Sequence, residues 1–153
     1  MRWKKRLLVM SVAFAITTTA AGCANQQPGT PARGPVEITD ESRVADILVG
    51  KTFYGRYPNG SRWTEYVSRG GDTAYREGPK TCAGHWHVSG NIACFMYDSY
   101  KNGEPNCFNI WRSGDNTLFV PMGGDPTGKN IVVVDRIDDG DPQNLMSDRG
   151  ACR

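Results

Sequence analysis

Two apolar runs, Ile92-Ala-Cys-Phe-Met-Tyr-Asp98 and Cys107-Phe-Asn-Ile-Trp-Arg112, decide how this chain folds. They flank the polar segment Ser99-Tyr-Lys-Asn-Gly-Glu-Pro-Asn106, which is a turn signal between two strand signals. A connection this short makes the strands antiparallel, because a parallel crossover needs a dozen or more residues. Opposed positions on such a hairpin lie within the Cα separation that a disulfide spans, so Cys94 is expected to pair with Cys107. Alternation places Phe95, Tyr97, Phe108 and Ile110 on one face, and Ile92, Cys94, Met96 and Trp111 on the other. Both faces are apolar, as for a strand covered on both sides. The pattern alone leaves open which face is the interior.

Similar short runs lie on either side of the hairpin. Strands are predicted over 52–57, 62–68, 73–76, 85–88, 92–97, 107–112, 117–120 and 131–136. Pro-Asn-Gly at 58–60, Gly-Gly-Asp at 70–72, Ser-Gly-Asn at 89–91 and Gly-Asp-Asn at 114–116 separate them. Ahead of them, Thr39 or Asp40 can cap a helix over 41–49, with Val44, Ile47 and Leu48 on one face and Gly50 at its stop. Eighteen glycines and nine prolines in 153 residues also favour many strands over a helical bundle. The expected fold is mainly β: an antiparallel meander closing into a small barrel or sandwich, with one short N-terminal helix and two disulfides.

Residues 1–22 have the three parts of a secretory signal: basic Arg2 to Arg6, apolar Leu7 to Ile16, then small and weakly polar Thr17 to Gly22. Ten apolar residues rise about 15 Å as a helix, half of a bilayer core. Removing four cations from the eighteen leaves fourteen against sixteen acids, so the mature chain carries about −2 instead of the formal +2. That balance argues against nucleic acid as a partner. Ala20-Ala21-Gly22-Cys23 is similar to a bacterial lipobox, although Ala20 stands where leucine is usual. The similarity implies lipidation at Cys23 and, with Ala24 next, the periplasmic side of the outer membrane. Cleavage after Ala24 by the ordinary signal peptidase is the alternative and would leave a periplasmic or secreted protein. Residues 23–38 read as a tether and 39–153 as a single β domain. Past Cys23, four cysteines in an oxidising compartment imply two disulfides, and elimination pairs Cys82 with Cys152.

Gly50-Lys51-Thr52, Gly84-x-Trp86-x-Val88-x-Gly90, Cys94-x-x-Tyr97, Cys107 and Arg112-x-Gly114-Asp115 together resemble a family of small secreted proteobacterial domains of unknown function. The resemblance covers roughly Ala45 to Val120. It implies an antiparallel β domain with a disulfide between Cys94 and Cys107, and it implies no activity.

Residues that point to chemistry are few. His85 and His87, one residue apart, point to one face of a strand and can share a metal ion, with Asp98, Glu77 or Asp72 as a third ligand. Alternation also makes them two surface histidines opposite a buried Trp86. Asp135, Asp138, Asp139 and Asp141 cluster at a glycine turn but lack the EF-hand spacing, so a solvated turn is expected. No Gly-x-Ser-x-Gly, Walker loop or dinucleotide fingerprint occurs. Tyrosine and tryptophan are more numerous than a core this size requires, which marks Tyr54, Tyr66, Tyr97 and Trp111 as candidate ligand contacts. The expected function is that of a non-catalytic cell-envelope lipoprotein without a cofactor, binding a small ligand or a partner protein. The alternative is a metal-binding protein or metal-dependent enzyme built on His85 and His87.

Overall fold

A computed structural model of the chain describes residues 34–98 and 101–150. Nine strands form: β1 (Val36–Glu37), β2 (Lys51–Arg56), β3 (Arg62–Val67), β4 (Asp72–Glu77), β5 (Lys80–Ser89), β6 (Ile92–Met96), β7 (Asn106–Ser113), β8 (Asn116–Pro121) and β9 (Val132–Asp139). Helix α1 (Glu41–Leu48) lies between β1 and β2, and the single turn α2 (Leu145–Asp148) follows β9. Each strand from β2 to β9 pairs antiparallel with the next, and β9 returns to β2. The sheet is therefore a closed eight-stranded up-and-down barrel, and closure leaves no long edge for another chain to pair with. A register shift between Tyr54 and Gly55 leaves Asp135 unpaired on β9, a bulge that helps the closing pair bend.

The hairpin of β6 and β7 has the expected register. Cys94 stands directly opposite Cys107, and the two form a disulfide with Cα atoms 4.1 Å apart. The pairing of Cys82 with Cys152 lies outside the described residues. The chain end does approach Cys82, because Gly150 forms a parallel bridge with it through hydrogen bonds to Thr81 and Ala83.

Register also settles the inside. Phe53 opposes Glu65, Glu65 opposes Tyr75, Trp86 opposes Phe95, and Ile110 opposes Phe119, so these residues share the lumen face. Phe95, Tyr97, Phe108 and Ile110 thus point inward, and the face with Cys94, Met96 and Trp111 points outward. Phe119 fills the centre, with the rings of Phe53, Trp63, Phe95 and Phe108 around it at centroid distances of 5.7 to 6.2 Å. Such packing leaves the lumen a core, not a channel.

The two ends differ. Asp40 caps α1 by accepting from the Arg43 amide at 3.0 Å, and Val44 and Leu48 are fully buried in one cluster with Val67 and Trp86. Glu41 accepts from the Gly90 amide in the β5–β6 turn, so α1 closes the end where the β3–β4 and β5–β6 turns lie. The β2–β3 and β4–β5 turns and the connection into β7 are at the other end.

The main departures from expectation are β1, the start of β5 and α2. Ahead of α1, where no strand was expected, β1 pairs with β7 and Glu37 accepts from Asn91 and Asn109. β5 begins at Lys80, five residues early, because Gly84 is part of the strand and not a stop. The unforeseen α2 lies against β3, β4 and β5 on the outer face, with Leu145 fully buried there. Among the described residues no helix is long and apolar enough to cross a membrane.

Candidate functional site

The end opposite α1 carries a cluster of tyrosines and carboxyl groups. Tyr57 follows β2 and is held by the turn hydrogen bonds between Tyr57 and Ser61 and between Gly60 and Tyr57. Its hydroxyl lies 3.0 Å from that of Tyr75, which donates to Glu77 Oε2 at 2.7 Å. Deeper in the lumen, Glu65 Oε1 accepts from the hydroxyls of Tyr97 and of Thr73, the latter at 2.7 Å. The Tyr75 and Tyr97 rings stand 5.3 Å apart and join the two levels. Alternation along β3 and β4 brings the group together: Trp63 opposes Glu77 and Glu65 opposes Tyr75 across one strand pair.

Among the described residues, no lysine or arginine pairs with Glu65 or Glu77. Burial pushes the Glu65 carboxyl up to about 7, against the opposing pull of its hydrogen bonds from Tyr97 and Thr73. Burial and the neighbouring Glu65 raise the Tyr97 phenol well above its ordinary range. Burial, with the hydrogen bonds to Tyr57 and Glu77, raises Tyr75 likewise. These phenols stay protonated and act as hydrogen-bond donors that fix the carboxyl groups. Two buried polar atoms at the same end have no partner among the described residues, the indole Nε1 of Trp63 and Oγ of Ser61.

Of the tyrosine and tryptophan contacts read from the sequence, only Tyr97 belongs to this cluster. Tyr54 and Tyr66 lie on the outer face of β2 and β3, and the Arg136 guanidinium sits 3.8 Å over the Tyr54 ring. Trp111 lies on the outer face of β7 between Glu37 of β1 and Leu118 of β8. Glu65, Tyr57 and Tyr75 carry the site, and Glu65 is not among the residues that the sequence marks. Its signal was present in Arg-Trp-Thr-Glu-Tyr-Val, where the glutamate falls in phase with Trp63 and Val67.

The two histidines are exposed on the outer face of β5. His85 Nδ1 lies 3.2 Å from Asp72, whose other oxygen is 3.7 Å from Arg149. Among the described residues, no three His, Cys, Asp or Glu side chains are grouped to hold a metal ion. The acidic run disperses as well: Asp135 pairs with Arg56, Asp138 with Arg136 and Asp139 with Lys51, and Asp141 caps the Leu145 and Met146 amides. Cys23 lies outside the described residues.

Two shallow surface concavities lie outside the lumen, one beside α1 and one on the outer face beside the β4–β5 turn. One, of about 480 Å³, is lined by Glu41, Ala45, Trp86, His87 and Val88; the other, of about 470 Å³, runs along Arg76, Lys80 and Gly150.

Fold and site together define a small closed up-and-down barrel with a packed lumen, one plugged end and one tyrosine-rimmed end. Comparison with protein-family models, curated proteins and solved structures found no match to the chain.

Proposed function

We propose that this chain is an exported, non-catalytic cell-envelope lipoprotein whose barrel binds a partner protein at its tyrosine-rimmed end. Residues 1–22 serve as the signal peptide, Cys23 carries the lipid on the periplasmic side of the outer membrane, and Cys82–Cys152 is the second disulfide. The resemblance to small secreted domains of unknown function fits this address. The observation that carries the binding reading is the lumen itself: phenylalanine packing around Phe119 occupies the volume in which a barrel of this size would hold a small ligand. Recognition then falls to the rim, where tyrosines with one wet end are suited to contact another protein. Capture from envelope extracts with the intact chain, beside a Tyr57→Ala variant, tests this. One envelope protein retained by the wild type and lost with the variant supports it. Equal retention by both moves binding elsewhere. Cys23→Ser should release a soluble periplasmic form; unchanged fractionation, or a mature N-terminus at Asn25, removes the lipoprotein assignment.

A further inference from the structure

We propose that the tyrosine-rimmed end receives the guanidinium or ammonium tip of an arginine or lysine side chain presented by the partner protein, between Glu77 and the rings of Tyr57 and Tyr75. The inference rests on the binding reading above and names its chemistry.

Charge comes first. Glu65 and Glu77 lie on the same inward face of neighbouring strands, and no cation of the described residues is paired with either. A carboxyl group buried without a counter-charge resists ionisation, and a cation brought to the rim favours its charged form. Glu77 is exposed and meets the cation directly; Glu65, below it, adds to the negative potential.

Aromatic geometry comes second. The hydroxyl chain from Tyr57 to Tyr75 to Glu77 holds both rings in place before any partner arrives. Tyrosine faces attract ammonium and guanidinium groups through the ring quadrupole, and more strongly where water is excluded. A prearranged pair of rings beside a carboxylate loses little freedom on binding.

A third observation is independent of the charge. Trp63, only 5% exposed, is the cross-strand neighbour of Glu77, and its indole N–H has no acceptor among the described residues. Ser61 Oγ, two residues earlier on the same side of the chain, is also unpartnered. Buried donors in native folds almost always find an acceptor, so an indole N–H left without one beside Glu77 marks this end as incomplete in the free chain. The packed lumen agrees, because it admits a side-chain tip at the rim and no larger molecule.

The test titrates the purified, ¹⁵N-labelled chain with Nα-acetyl-arginine methylamide and Nα-acetyl-lysine methylamide, and follows the Trp63 indole N–H resonance. Nα-acetyl-citrulline methylamide is the neutral control of nearly the same shape as the arginine probe. The two cationic probes should shift the resonance, and citrulline should not. Glu77→Gln keeps an acceptor for Tyr75 and removes the charge; it should weaken binding about tenfold, the gap between a charge-assisted and a neutral hydrogen bond. Tyr57→Phe keeps the ring but removes its tie to Tyr75, and should weaken binding less than Glu77→Gln does. An unchanged amide spectrum in each variant shows that the fold is retained. Equal shifts from citrulline and arginine, no shift from either cation up to its solubility, or undiminished binding in Glu77→Gln would each overturn the proposal. If envelope capture still depends on Tyr57 while the cationic probes fail, only the chemistry named here is lost. If the probes bind and capture fails, the partner-protein reading is lost.

Discussion

The ring of Tyr97 occupies the space that a side chain on Gly84 would need: a Cβ at Gly84 would stand 2.5 Å from Tyr97 Cδ1 and 2.6 Å from the Met96 carbonyl oxygen. A bare strand position thus gives the phenol its route to Glu65. Gly84→Ala forces one of these atoms to move and is expected to cost about 3 kcal/mol, the upper range for overpacking. In a double-mutant cycle, Tyr97→Ala should recover part of that cost. Urea unfolding of the four proteins measures it, and strict additivity would show that the ring and the glycine are not coupled.

Glu65 predicts a pH dependence of unusual sign. Its carboxyl titrates near 7 in the folded chain because of burial, against about 4.5 when unfolded. Between those values the folded state holds a proton that the unfolded state has released, so stability falls as pH rises. The contribution is fully present below about 4.5 and gone above 7, a loss of about 3 kcal/mol. Glu65→Gln keeps the shape without the charge. It should flatten the melting temperature over this range and exceed the wild type at pH 8. An unchanged slope in the variant would assign the dependence to another group.

Trp86 and its neighbours on β5 should respond in opposite ways. Its indole is buried in the core and donates to the Ser68 carbonyl at 2.8 Å. Trp86→Ala is expected to cost about 3–5 kcal/mol. His85→Ala and His87→Ala should each stay within about 1 kcal/mol, since the first loses only an exposed pair with Asp72. A melting curve with and without EDTA adds the metal test, and a drop of many degrees would revive the histidine pair as a ligand set.

Non-reducing peptide mapping should recover Cys94 joined to Cys107, as their direct opposition requires, and Cys82 joined to Cys152. Loss of the first bridge through Cys107→Ser is expected to cost about 3 kcal/mol on the chain-entropy account. Recovery of Cys82 joined to Cys94 would contradict the register of the central hairpin.

The strands were legible wherever alternation and a two- or three-residue turn agreed, as at Pro58-Asn59-Gly60 between β2 and β3. Gly84 hid the start of β5, because a glycine that makes room for a ring across the sheet looks the same in sequence as one that ends a strand. β1 was hidden because two residues in a proline- and glycine-rich stretch carry no period; only its fit beside the end of β7 makes it a strand. The lumen face stayed open because both faces of β6 are apolar, and the answer came from which residues converge on Phe119. At the site, Tyr97 could be named from its residue type. Glu65 needed the neighbouring strand, since its meaning depends on Tyr97 and Thr73 reaching it from β6 and β4.

The barrel has a polarity along its axis. β1 enters beside Arg112 and Trp111, near the end of β7 that α1 covers, so the chain joins the fold at the pole opposite Tyr57 and Glu77. Strands of six to eight residues separate those poles by about 20 Å. Tyr57 and Glu77 therefore stand at the far end of the barrel from the place where β1 joins it.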